Sequence, residues 1–131
     1  MECLEGVLRA LRRLEGVEAA RLRIERSLIT IKPRLRAMID LASLPAVIQN
    51  GSTGGERYSM KRLWIQAIGI LNRAGSAATF RILGWPAAFR IEGPAPEDPV
   101  HSDDGLVWLH AEVLLADGVP RLKVLQASCA P

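Results

Sequence analysis

The 131-residue chain predicts an α+β fold: a mainly antiparallel sheet of four to six strands with two or three helices packed on one face. Three observations predict it. Apolar residues recur at helical spacing near the start. Residues 58–71 alternate with period two. A second alternating run, residues 106–116, is followed by Asp117-Gly118 and a third short run, as in a hairpin. Length and a hydrophobic content of 49% fit one globular domain over residues 1–131, large enough to bury roughly two thirds of its unfolded surface without staples.

The elements follow in order. In residues 2–15, Leu4, Val7, Leu8, Leu11 and Leu14 form an apolar stripe. Glu2 and Glu5 near its start and Arg12 and Arg13 near its end suit the helix dipole, and Gly16 is a stop. Ala20, Leu22 and Ile24 alternate with Arg21, Arg23 and Glu25, which predicts a strand. A turn near Arg26-Ser27 leads to a second run, residues 28–31. Leu35, Met38, Ile39 and Ala42 then recur helically after Pro33, which predicts a second helix.

Residues 44–48 (Leu-Pro-Ala-Val-Ile) read as a short strand opened by Pro45, followed by a polar glycine loop, residues 50–56. The long strand after it places Leu63, Ile65, Ala67, Gly69 and Leu71 on one face and Arg62, Trp64, Gln66, Ile68 and Ile70 on the other. Residues 75–90 read either as a short helix broken near Pro86 or as a strand before Gly84-Trp85-Pro86; the helix is the preferred reading. Residues 92–105, with three prolines and two glycines, form a loop long enough to imply mobility or a role in contacts. Val107, Leu109, Ala111, Val113 and Leu115 share one face of the next strand, and residues 121–127 return as the last one.

Charge is segregated. Residues 57–91 hold six basic side chains (Arg57, Lys61, Arg62, Arg73, Arg81, Arg90) and no acid. Residues 92–117 hold seven acids and no lysine or arginine. Such segments can pair within one subunit or meet head-to-tail between neighbours and favour a ring. No apolar run reaches a membrane span, and the acidic start is not a secretory signal. Cys3 and Cys129 form no metal motif and read as reduced thiols.

Catalytic chemistry is not indicated, and no cofactor is expected. His101 with Asp103 and Asp104 has the donors for a divalent cation or for acid–base work, but a solvated acidic loop is the preferred reading and no metal site is expected. His110 alternates with Trp108 and Glu112, as a ring partner or an interface residue. The Gly51-Ser52-Thr53-Gly54-Gly55 loop lacks the lysine of a phosphate-binding loop, since residue 56 is Glu, and a strand rather than a helix follows it. Tyr58 and Trp64, with Arg57, Lys61 and Arg62, could stack bases and hold phosphates, as in oligonucleotide-binding barrels. This makes a small nucleic-acid-binding module the competing functional class.

The order of features resembles the tail terminator proteins of long-tailed bacteriophages and related gene-transfer particles. The shared features are the helix ending in Leu14-Glu15-Gly16-Val17, the Leu44-Pro45-Ala46-Val47-Ile48 run, the glycine-rich loop, the long strand and a closing hairpin with Leu122-Lys123-Val124. Residues 92–105 fit that pattern least well. The resemblance implies a small α/β virion subunit, assembled in the host cytoplasm at the tail or head–tail junction. Its hexameric ring caps the tail tube and meets the head connector; the competing class implies a cytoplasmic protein. In a ring, Arg57, Arg62, Trp64, Arg81, Arg90, Asp103, Asp104, Trp108 and Glu112 are the candidate subunit-interface residues. Gly51, Ser52, Thr53, Gly54, Glu97, Asp98 and His101 are candidates for axial contacts. Residues 7–48 also resemble heavy-metal-associated domains, but the C-x-x-C that binds metal there is missing, because Cys3 is followed by Leu4, Glu5 and Gly6.

Overall fold

The computed structural model describes residues 2–23, 28–35, 37–51, 59–74, 77–93, 106–115 and 118–129. The chain divides into two compact units, residues 1–61 and 62–131.

The first unit opens with α1 (Glu2–Arg13). Val7, Leu8 and Leu11 are buried and Glu5, Arg9, Arg12 and Arg13 are exposed, as the apolar stripe requires. Gly16 ends the helical turn at φ +91°, where an added Cβ would lie 2.7 Å from the Met38 carbonyl oxygen. The chain then forms the antiparallel hairpin β1 (Val17–Arg23) and β2 (Leu28–Pro33).

Two expectations fail here. Among the described residues, the helix expected over Leu35, Met38, Ile39 and Ala42 does not form. The Arg34 N–H donates to the Gly16 carbonyl at 2.7 Å, the Ala37 N–H closes a turn on the Arg34 carbonyl at 3.0 Å, and Leu35 is 92% exposed. The apolar stripe is therefore not one face, and only a 3₁₀ turn forms, Leu41–Ser43. The strand expected at residues 44–48 is instead the start of α2 (Leu44–Gly51). Pro45 lies in the first helical turn, where its missing N–H costs nothing. Burial follows helical spacing, with Leu44, Val47, Ile48 and Gly51 turned inward more than Ala46, Gln49 and Asn50. Close approach also selects Gly51, since a Cβ there would meet the Ala10 Cβ and the Gly6 carbonyl at 3.0 and 3.1 Å.

The second unit is a closed barrel: β3 (Trp64–Ala74), β4 (Ala77–Ile82), β5 (Phe89–Ile91), β6 (Leu106–Leu114) and β7 (Arg121–Cys129). Neighbours run β3-β4-β5-β7-β6, and β6 returns to β3. All pairings are antiparallel except β5 with β7, which is parallel. The expected sheet with helices packed on one face is thus corrected. The five strands cover their own inner face, so this sheet needs no helical layer. Closure depends on β3 serving two neighbours. Its first half pairs with β6 and its second with β4, and both registers meet at Gly69, opposite Val107 and Ile82. A Cβ on Gly69 would lie 2.2 Å from the Arg81 carbonyl oxygen and 2.8 Å from Phe80 Cζ, so only glycine allows this strand crossing.

The helix preferred for residues 75–90 is likewise corrected to the strand alternative. Ala78 and Phe80 are buried while Ala77, Thr79 and Arg81 are not, a period of two that a run of alanines disguises. Gly84 at φ +87° turns the chain after β4. Trp85 folds inward against Phe89, ring centroids 5.8 Å apart and edge-on. The barrel core is Ala78, Phe80, Trp85, Phe89, Ile91, Val107, Leu109, Ala111, Val113 and Leu122. Among the described residues no polar or charged residue is buried. The alternation read for β6 holds along the strand; that of β3 holds from Trp64 to Gly69, and residues 59–63, expected within the long strand, precede β3. The register shift on β7 inserts Leu125 as an extra residue between Val124, opposite Ala111, and Gln126, opposite His110. That bulge leaves Leu125 on the surface, 48% exposed.

Candidate functional site on two barrel walls

Two outer walls of the barrel carry its chemistry. The first lies on β4, β5 and β7. Their pairing sets Thr79 beside Arg90, and Arg90 beside Arg121, with Asn72 of β3 beside Thr79. One row thus crosses four strands as Asn-Thr-Arg-Arg. Arg81 stands one outward position along β4 from Thr79, opposite Ile70. Its Nη1 donates to the Trp85 carbonyl at 3.3 Å, which fixes the guanidinium over the β4–β5 turn. Arg121 is oriented by Glu92, Nη1 to Oε2 at 3.3 Å. The strands β4, β5 and β7 contain no aspartate or glutamate, so Glu92, just after β5, is the nearest acid in sequence to this row.

The second wall lies on β3 and β6, with β7 at its edge. Cross-strand pairs are Trp64 with Glu112, Gln66 with His110, and Ile68 with Trp108. Arg62, just before β3, reaches diagonally to Glu112 and donates two hydrogen bonds, Nε to Oε2 at 3.0 Å and Nη2 to Oε1 at 3.1 Å. The same guanidinium sits 4.9 Å from the Trp64 ring centroid. The hydrogen bonds from Arg62 hold the Glu112 carboxyl below its ordinary value, and the Glu112 carboxylate raises Arg62. Trp108 and His110 lie with ring centroids 6.3 Å apart, tilted by 50°. Trp64 and Ile68 stay 38% and 37% exposed.

Of the candidate interface residues, Arg62, Trp64, Trp108 and Glu112 gather on one wall, although some fifty positions separate the two pairs in the chain. Arg81 and Arg90 fall on the other wall. Gly51 ends α2. Arg57, Tyr58, Ser52, Thr53, Gly54, Glu97, Asp98, His101, Asp103 and Asp104 lie outside the described residues. Among the described residues, Arg62 of the basic segment pairs with Glu112 of the acidic one. Thr79 and Arg121 were not singled out from the sequence. Their place in the row depends on the parallel β5–β7 pairing, for which a linear pattern holds no signal.

Among the described residues, no group of three His, Cys, Asp or Glu side chains is placed to hold a metal ion. None of their helices is long and apolar enough to cross a membrane. Comparison of the chain with protein-family models, curated proteins and solved structures gives no match.

Proposed function

We propose that the barrel binds single-stranded nucleic acid along the wall formed by β4, β5 and β7. The carrying observation is the cluster of Arg81, Arg90 and Arg121, with Arg81 and Arg90 on a particular pair of strands, β4 and β5. Counting barrel strands alone, β4 and β5 are the second and third of a five-stranded Greek-key barrel. In oligonucleotide- and oligosaccharide-binding barrels that strand pair makes the ligand face. Topology by itself does not choose a ligand. The charge does: Arg81, Arg90 and Arg121 favour a phosphate backbone over a neutral sugar chain. The aromatic residues of these strands, Phe80 and Phe89, point into the core. Affinity then comes mainly from phosphate contacts, with little base preference.

This reading moves the nucleic-acid site away from Tyr58 and Trp64. Arg62, the phosphate partner expected beside Trp64, is already engaged by Glu112. It also takes precedence over a ring-forming tail subunit, because the complementary charges that would join neighbours are in part satisfied within the chain.

Titration of a labelled oligothymidylate with the full chain at several salt concentrations tests it. Three phosphate contacts give a slope of log K against log salt of about −2. Arg90→Glu should weaken binding about tenfold and flatten the slope by about 0.7 to 1. Absence of binding at low salt, or unchanged binding when Arg81, Arg90 and Arg121 are all replaced by serine, would overturn the reading. Capture of acidic peptides in place of the oligonucleotide would do the same.

A further inference from the structure

We infer that the β3–β6 wall docks a second copy of this chain across a twofold axis, forming a weak dimer. The inference stands apart from the nucleic-acid reading and uses a different surface.

The wall has the composition of an interface centre. Trp64, Ile68, Trp108 and, on the β7 bulge, Leu125 contribute large apolar surface, with Trp64, Ile68 and Leu125 exposed. Trp64 is held in advance: Arg62 lies over its ring, and Glu112 fixes Arg62 with two hydrogen bonds. An aromatic anchor already ordered before binding loses little side-chain entropy on docking. Tryptophan and arginine are also the residue types that most often dominate binding energy at such centres.

Charge selects the occupant. Arg62 and Glu112 neutralise one another, and among the described residues of the wall Lys123, opposite Glu112 on β7, adds a further positive charge at the margin. A nucleic acid would meet a carboxylate and bare apolar surface here. A strongly charged protein would find nothing to pair with. A second copy brings an equally apolar face whose central charges are cancelled, with Lys123 at the margin and Gln66 and His110 as donors and acceptors across the axis. The arginine row cannot do this, since two copies would set like charges against each other.

Size sets the strength. The nine residues of β6, by three strands, span roughly 30 Å by 14 Å, about 400 Å² per copy and about 800 Å² in all. That is below the ~1,200 Å² at which specific, stable complexes begin. The dimer should therefore be weak, with a dissociation constant on the order of 10–100 µM.

Sedimentation equilibrium of the full chain from about 5 to 500 µM tests this, with concentrations chosen to bracket the expected affinity. The expected result is a monomer–dimer equilibrium that changes less than about twofold between low and high salt, because no net charge is paired across the axis. Ile68→Glu should raise the dissociation constant at least tenfold. Gln66→Glu, at an exposed position between Trp64 and Ile68, should weaken it in the same direction even if Ile68→Glu perturbs the strand. A monomer throughout the range, a dimer unaffected by both substitutions, or an assembly larger than a dimer would each overturn the inference. Oligonucleotide binding in the same variants reports separately on the arginine row, so either proposal can fail without the other.

Discussion

The two walls of the barrel enclose one core and share one strand, yet they differ in how their charges are arranged. On β4, β5 and β7 the arginines stand in a row, and only Arg121 has a described acidic partner, Glu92. On the outer face of β3 and β6, Arg62 and Glu112 cancel within a bidentate pair beside two indole rings and Ile68. The contrast shows that a sheet's inner face and its outer face answer to separate constraints. The buried inward positions of both walls are apolar because they meet at Phe80, Leu109 and Leu122. Outward positions are unconstrained by packing, so their composition reports what each wall meets.

The most severe way to break the comparison is to remove what the walls share. Phe80→Ala should cost about 4 kcal/mol by urea denaturation, since the ring is fully buried, and both walls should lose function together. Loss on one wall alone would show that they fold separately. Gly69→Ala should cost about 2–3 kcal/mol, because the new methyl meets backbone at Arg81 that cannot swing aside.

Substitutions on the outside should separate the walls. Arg90→Glu should lower oligonucleotide affinity about tenfold and leave the thermal midpoint within a few degrees, since an exposed surface change costs about 0.5 kcal/mol or less. Ile68→Glu should leave that affinity within about twofold. A large loss of oligonucleotide affinity in Ile68→Glu would erase the distinction between the walls.

The smallest effect concerns pH. The native Glu112 carboxyl lies below its ordinary value of 4.5, so it binds fewer protons folded than unfolded. The stability it contributes is fully present above that ordinary value and is lost as pH falls through the depressed native value. Glu112→Gln should therefore lower stability slightly at neutral pH. It should also flatten the acid limb of a stability–pH curve. An unchanged acid limb would show that the pair with Arg62 is not held in solution.

Much of the local order was legible in the chain. The α1 stripe and the alternation of β3 and β6 follow from period, whereas the β1–β2 hairpin and β7 are legible from turn residues beside short apolar runs. The failures have physical causes. Val47 and Ile48 suggest a strand, yet Pro45 in a first turn and the close approach of Gly51 to α1 favour a helix. Alanines at 77, 78, 87 and 88 carry almost no signal for either state, so residues 75–90 were misread. Barrel closure was not legible at all, because it depends on a parallel pairing of only two residue pairs, Arg90 with Arg121 and Ile91 with Leu122, between strands some thirty positions apart. The same limit governed the site. Trp64, Trp108, Arg62 and Glu112 were visible as types, whereas their convergence, and the row through Thr79 and Arg121, exist only once register is set.

That parallel pairing has a consequence in time. Arg90 and Arg121 become neighbours only when β5, three residues long, captures β7. Contacts this distant in sequence and this few in number form late in folding and open early in fluctuation. Backbone amides of Phe89–Ile91 should thus exchange with solvent faster than those at the centres of β3 and β6. The arginine row would be assembled by the last step of barrel formation, and a barrel that breathes at this seam would release its ligand before losing its core.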